Sequence, residues 1–561
     1  MSVAKVYTFD ADFDEGLLVN VNHDVVADQL QLNSLTTTRP FNFVHVPGSS
    51  TNTVLRINAT TGSVVGEYKS CPTGGQGNPS RLASDRYGNV YVGNRDGTAA
   101  VLGSIAKIGI VVGGTRCDSD GTTNPSGQYV KDWTYTTCVD RDGDGLLKTS
   151  SGLSNVLAWT TDTGTGTDGS VIGAEDDAVL LYRRAGGGAS RFVAIEPDQE
   201  SVWVGGNDQG SITHLHERLD VEDFSTIETM NTGVAGGHGG FITTARVYWS
   251  SDHFTQDLID FPLVRRDLPT GVQVNTNTSP SLIHAIVLDP TTGHVWGVDN
   301  GGTDATPDLV EFAADGTVLN RYSMGASPTL TSRTLCYDHV NDHIWTTHDH
   351  ASQNVVKRWD KAGNLQATIS LGAGTTPRGI GMDLLGKIWV CCTTSSEVKR
   401  IDPATNTVDL TISIPSRAPY GFTDLGGNFP FTITQPSGFW FARYDHGSTA
   451  SWGRISWTED TPSTCTFYVE RRIADTLGQL TSTAWTLCDN GVIFGKAVGR
   501  YVEVRCTFLR PDASTDTPVL YDLTLETLES VVTPPTGPCA GQLVHPVTRG
   551  QVVTPTLTGE A

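Results

Sequence analysis

Apolar and polar residues alternate along most of the chain in runs too short, and of the wrong period, for amphipathic helices. One run recurs: "GNVYV" (88–92), "ESVWV" (200–204), "ARVYW" (245–249), "GHVWG" (293–297), "DHIWT" (342–346) and "GKIWV" (386–390). "FNFVHV" (41–46) is a degraded seventh copy. Between central apolar residues the intervals are 46, 112, 45, 48, 49 and 44. The outlier equals one period plus an insertion of about 65 residues. Most copies are followed by a third strand such as "VLRINATTG" (54–62) or "VKRIDPATN" (398–406), then a fourth such as "SVVGEY" or "TVDLTISI". Four short strands every 45 residues or so predict the blade of a β-propeller.

The ends of the array fit a closed ring. The first copy begins at its second strand, and an orphan first strand, "APYGFTD" (418–424), follows the seventh. Pairing that late strand beside residues 41–46 removes both free edges. The alternative, an open solenoid, leaves it without a role. The expectation is seven blades over residues 39–424, with an insertion at 111–177 in the second blade.

The repeat "PRGIGMDLLGKIWV…VKRIDPATNTV" resembles that of streptogramin-lyase-like and NHL-type propellers over most of 39–424. Residues 425–530 lose the period and show long alternating strands from "GFWFARYD" onward. They resemble a galactose-binding or fibronectin-like β-sandwich module of exported bacterial proteins. In such modules a segment like "FDADFDEGLLVNVNHDVVADQLQLN" (9–33) comes just before that strand; here it lies about 400 residues upstream. Residues 1–38 are therefore either the first strands of the sandwich, with the propeller inserted into it, or a free arm. The fold class expected is all-β: a seven-bladed β-propeller plus a β-sandwich domain. Residues 531–561, rich in Pro, Thr and Gly, read as an extended tail that orders against a partner.

Composition changes this picture in three ways. A net charge of −23 argues against nucleic acid and favours solubility and divalent cations. No apolar run approaches the roughly 20 residues of a membrane span, and the start, "MSVAKVYTFDADFDEG", shows no secretory signal. Ten cysteines nonetheless suit an oxidising setting. A virion component released by lysis reconciles the last two facts, as does a chain trimmed of its signal. Cys117 with Cys138 is one expected disulfide, clamping the neck of the insertion; Cys465 with Cys506 is the preferred pair among the three cysteines of the last module.

The candidate chemistry lies in two places. Aligned first strands put Arg81, Arg191, His238, His284, Arg333, Arg378 and Tyr420 at one equivalent position, which in a propeller rings one mouth of the central channel. Two readings stand: a cationic collar for a carboxylate, sulfate or phosphate, or basic side chains stapling neighbouring blades through backbone carbonyls. An acid follows four or five residues later (Asp85, Glu196, Asp289, Asp338, Asp383, Asp424) and is expected to shape the next turn by accepting backbone amides. The lyase resemblance implies histidines and a glutamate around magnesium. His238 and His284 are the best-placed histidines, but Glu196 falls in a turn and Glu397 leads a third strand. "HDH" (348–350) reads as a solvated loop.

The second place is "DRDGDGLLKTSS" (140–151) in the insertion. Asp140, Asp142 and Asp144 supply alternate carboxylates, Gly145 the sharp turn and Leu146 a backbone carbonyl, the front half of an EF-hand-type calcium loop. Ser151 stands where the bidentate glutamate belongs, so Glu175 or Asp176 is the expected distant ligand, Glu175 first. The readings are a structural calcium or an ion-free turn. Trp440, Phe441 and Trp452 either stack on sugar rings or pack in a core.

No Ser/His/Asp grouping, phosphate loop or zinc spacing stands out. The expected function is non-catalytic recognition, attachment or structure, in a virion component of a tailed phage displaying propeller loops. A secreted or cell-surface bacterial adhesin binding carbohydrate is the first alternative, a magnesium-dependent streptogramin-type lyase the second. Expected partners are a protein assembly partner, a surface glycan, or both, within a larger assembly.

Overall fold

The computed structural model describes residues 1–528 apart from 38–40, 76, 96–101, 161–170, 172, 207–213, 234–235, 252–261, 278–282, 300–307, 326–331, 351–352, 422–424, 426–430, 436, 496 and 511–514. Asp424 and the tail from 531 lie outside the described residues.

The chain is all-β. Its middle folds into a succession of small antiparallel meanders, each closed before the next begins. The first sheet has three strands: Phe43–Gly48, Thr53–Asn58 and Val64–Lys69. Six four-stranded sheets follow, their first strands being Pro79–Ser84, Ser190–Ile195, Gly239–Ile242, Ile283–Leu288, Ser332–Asp338 and Pro377–Met382. First strands are buried along their length, whereas fourth strands such as Thr226–Asn231 and Val318–Ser323 are largely exposed. That gradient sets the first strand innermost and the fourth outermost.

The two-residue period of a strand explains how the sheets hold together, since successive side chains leave opposite faces. Val193 and Ile195 pack back onto Tyr91 and Ile105 of the preceding sheet. Phe192 and Ala194, one residue out of phase, pack forward onto Ile242 and Tyr248. The same division repeats around the array. Trp345 meets Ile380 and Ile388, and Trp389 and Val398 of the last sheet pack onto Val44 and Leu55 of the first. The last sheet thus covers the first. The late strand also reaches it, through an antiparallel bridge between Pro419 and Gly48 and a bond from Ser50 N–H to Arg417 O.

Residues 2–32 and 437–527 build one larger sheet of nine strands. Ser2–Tyr7 pairs with Val519–Thr527, and Leu17–Val19 pairs with residues 439–441 of the long strand Ser437–Asp460. The 24 residues of that strand pair first with Ala497–Leu509 and then, beyond Trp452, with Val519–Thr527. Tyr7, Phe13, Trp440, Trp452 and Phe508 fill its core. Trp440 donates its indole N–H to Phe13 O (2.9 Å) and Trp452 to Gly499 O (2.9 Å), so neither offers a face to a sugar. Phe441 is half-buried against Phe439 and Trp485.

The expected disulfides are absent, and strand register gives the reason. Cys117 is opposite Tyr129 at one end of its hairpin, whereas Cys138 lies just past the other end, where Val111 faces Thr136. Six residues of strand separate those ends, about 20 Å, far beyond the reach of a disulfide. In the last module Cys506 is opposite Val469, four residues on from Cys465 and roughly 13 Å along the strand. Burial pushes the Cys138 thiol up to about 12, and the half-buried side chain packs as a small hydrophobe against the second sheet.

Candidate functional site

The seven aligned positions converge as a linked chain of contacts rather than an open collar. Arg81 is fully buried; one Nη2 proton goes to His238 O, and Nη1 donates to Ser80 O at 3.1 Å. His238 Nδ1 lies 3.1 Å from His284 O, and His284 Nδ1 lies 2.6 Å from Arg333 O. The two imidazoles pack edge to face, 4.5 Å between centroids. Each histidine thus reaches the backbone carbonyl of the equivalent residue in the next sheet. Arg333 then donates Nε to Asp349 Oδ1 (3.0 Å), and Arg378 Nη2 takes the other oxygen of the same carboxylate (2.9 Å).

Tyr420 closes the circuit. The Arg95 guanidinium stacks 3.6 Å from its ring centroid and that of Arg378 lies 5.7 Å away. Burial pushes the Tyr420 phenol up, but Arg95, Arg191 and Arg378 outweigh it and leave it below its ordinary value. Burial in turn lowers Arg81 well below the usual guanidinium range, with Arg191 adding to the effect. Burial likewise lowers Arg191, helped by Arg95, and lowers Arg378 against the pull of Asp349.

Asp349 is the acid that the sequence reading missed. "HDH" is not a solvated loop: it ends the strand His343–His350, the second strand of the sixth sheet. His348 is fully buried there, its Nε2 2.9 Å from Thr346 Oγ1, and burial drives it down to about 3. Alternation within a strand places Asp349 on the side opposite His348 and aims it at two arginines.

The acids after the first strands shape their turns. Asp383 accepts the amides of Leu385 (2.8 Å) and Lys387 (2.9 Å), and Asp85 those of Tyr87 and Asn89 (2.9 Å each). Four of these acids also reach the aromatic of the following strand, Asp85 through Tyr91 Oη at 3.2 Å, whereas Asp289 pairs with Lys361. Trp389 Nε1 donates to Asp383 at 2.7 Å, Trp345 to Asp338 at 3.1 Å and Trp203 to Glu196 at 2.8 Å. The pairing explains the recurrent "D…W" spacing, because a buried indole N–H needs an acceptor.

A second set of basic residues went unread. On the middle strand of the first sheet Arg56 donates to Gly109 O (2.8 Å), and on third strands Lys107 donates to Val221 O (2.8 Å), Arg265 to Ala314 O (2.9 Å) and Arg358 to Pro403 O (2.8 Å). Arg400 of the last sheet reaches Ala59 O of the first at 2.6 Å. Each fastens its sheet to the turn of the next. The signal was present: a basic residue two positions before the turn residue in "LRIN", "VRRD", "KRWD" and "KRID".

The insertion forms its own three-stranded sheet of Val111–Cys117, Tyr129–Thr136 and Leu147–Lys148. It lies between the third and fourth strands of the second sheet. One carboxylate oxygen from each of Asp140, Asp142 and Asp144 falls within 4.8 Å of the others. Asp140 accepts the amides of Gly145 (2.9 Å) and Gly143 (2.8 Å), which hold its carboxyl below the usual carboxylate range. Gly143 and Gly145 have φ of +72° and +81°, a conformation that glycine adopts without steric cost. Leu146 N–H donates to Asp144 Oδ1 at 2.8 Å. Glu175 is not part of this cluster; its carboxylate lies 3.0 Å from Lys148 Nζ. Asp176 instead accepts Ser150 N–H at 3.0 Å. The described residues therefore offer hard oxygen donors in the right loop, one side of a calcium shell.

No family model and no curated protein matches the chain. Solved structures do, among them several β-propellers. A periplasmic gluconolactonase from Pseudomonas aeruginosa aligns with TM-score 0.42 and 12% identity, over 70% of this chain and 99% of that one. A streptogramin B lyase aligns with TM-score 0.33 and 17% identity, over 44% and 80%. Virginiamycin B lyase from Staphylococcus aureus aligns with TM-score 0.33 and 14% identity, over 44% and 81%. Among the described residues no helix is long and apolar enough to cross a membrane.

Proposed function

We propose that this chain is a non-catalytic recognition or attachment protein: a closed seven-bladed propeller mounted on a β-sandwich built from residues 1–38 and 425–530. One observation carries the reading. The described contacts at the channel mouth run from sheet to sheet: Arg81 to His238 O, the Nδ1 of each histidine to the next carbonyl, and Arg333 and Arg378 to Asp349. A carbonyl at Nδ1 fixes the ring and its tautomer, so the link between sheets also orients each imidazole. The insertion, a separate small sheet on a rigid scaffold, is the natural display element. Calcium on Asp140, Asp142, Asp144 and the Leu146 carbonyl orders it.

The proposed setting is a virion surface, where a protein partner and a surface glycan meet this chain. Immunogold labelling of particles from the native source, with antibody against the purified chain, tests the setting. Decoration of tails supports it, and label confined to secreted or cell-wall fractions overturns it. Ring-opening of a cyclic depsipeptide with magnesium tests the absence of catalysis. Turnover by the parent that His238→Ala and His284→Ala abolish would overturn the non-catalytic reading.

A further inference from the structure

Between the first sheet and the insertion lies a cleft of about 590 Å³, within the range of small-molecule sites. We infer that this cleft binds an acidic sugar, a carboxylate carried on a hydroxyl-rich ring; the inference rests on the recognition reading above and gives it a ligand class.

The charge balance points to an anion. Arg56 and Arg116 both line the cleft, and none of its described lining residues is acidic, in a chain of net charge −23. Every described hydrogen-bond partner of the two guanidiniums is neutral. Arg56 donates to His45 Nε2 (2.9 Å), Tyr68 Oη (3.2 Å) and Gly109 O (2.8 Å). Arg116 donates to Thr149 O (2.9 Å), Ser150 O (3.0 Å) and Val65 O (3.3 Å). Behind the wall Glu67 is paired with Arg417 (2.8 Å), whereas Asp176 is held by Ser150 and the Ala178 amide and offsets one of the two positive charges, which leaves a cationic excess. Two fixed guanidiniums held only by neutral groups keep their field, and in a partly desolvated cleft that field favours a negative ligand.

The remaining lining points to a sugar rather than a bare inorganic ion. Ser126, Ser151 and Asn155 offer hydroxyl and amide groups, and Phe43 and Tyr68 offer aromatic carbon. A lone sulfate needs neither the volume nor the aromatic wall. Polar groups fixing orientation above an apolar floor are the usual makeup of a small-molecule site.

The structure supplies its own test variant. Asn58 lines the cleft, and its Oδ1 caps the turn by accepting the amides of Thr60 and Thr61 (3.0 Å each). The equivalent turns use aspartate: Asp220 accepts Glu222 N–H, Asp360 accepts Ala362 N–H and Asp402 accepts Ala404 N–H. Asn58→Asp therefore keeps the cap and adds one negative charge to the cleft, while Asn58→Ser keeps a neutral cap.

Calorimetry of the full-length chain against a galacturonic acid trimer should show binding that weakens with salt. Asn58→Asp should weaken it about tenfold, and Asn58→Ser should leave it near the parent. Equal binding of a neutral galactose trimer, equal binding of inorganic sulfate, no binding at all, or indifference to Asn58→Asp would each overturn the inference. Loss of the cleft site leaves particle labelling unchanged, so failure here is distinguishable from failure of the attachment reading.

Discussion

Replacing Arg400 by methionine tests whether the array is a closed circuit. The methionine keeps an apolar stem over Trp389, whose ring lies 5.7 Å from the guanidinium, and removes only the polar head. Two kinds of interaction go with it. The first is the link from the last sheet to the first, Nη1 to Ala59 O at 2.6 Å with a longer branch to Thr60 O at 3.3 Å. A hydrogen bond from a charged donor contributes about 1.5–3 kcal/mol. The second is the ion pair with Asp409 on the neighbouring strand, 2.9 and 3.1 Å, where the two side chains are 15% and 27% exposed. Pairs that face water contribute about 0–1 kcal/mol. Arg400→Met should therefore cost about 1.5–4 kcal/mol, and Asp409→Asn, which leaves the link to Ala59 intact, under about 1 kcal/mol. Urea unfolding gives both values, and amide exchange locates them. Faster exchange in Arg400→Met should appear in the first and last sheets together, in strands Thr53–Asn58 and Glu397–Asp402. Equal costs for the two variants, or faster exchange confined to the last sheet, would refute the argument.

Three further outcomes follow from the same geometry. Calcium at about 100 times its dissociation constant should stabilise the insertion by about 2.7 kcal/mol, and Asp140→Asn with Asp142→Asn should erase that gain in a thermal melt with and without chelator. His216 and His348, both lowered by burial from 6.5 to about 3, bind a proton more readily once unfolded. Their contribution is complete above pH 6.5 and lost as pH falls toward 3; at pH 5 each costs roughly 2 kcal/mol. His348→Gln should flatten that part of the stability–pH curve, and an unchanged slope would contradict the assignment. Trp389→Phe should cost about 1–3 kcal/mol beyond the lost ring area, because it strips a donor from the buried Asp383; pairing it with Asp383→Asn in a double-mutant cycle isolates that term.

How far the sequence could be read varies with the interaction. Four-strand periodicity was legible because burial in a small sheet depends only on the nearest residues in the chain. Turn acids were legible for the same reason: Asp383 and the amides it accepts are neighbours in sequence. The disulfide pairs were not, since whether Cys506 meets Cys465 depends on a register set by whole strands and their cores. Asp349 was missed because its partners, Arg333 and Arg378, come from the first strands of two successive sheets. The cleft beside the insertion has walls from residues 43–68 and 111–155, which no local pattern connects.

By itself, then, the amino-acid order determined a repeating all-β chain, the place of its insertion and the acidic loop that the insertion carries, all of them properties of short windows. Only the tertiary structure decided that basic side chains fasten sheet to sheet, that thiols stand apart, and that two guanidiniums share a cleft with no acid among its described lining residues. Those outcomes depend on distances between residues remote along the chain, and such distances exist only after the sheets have packed.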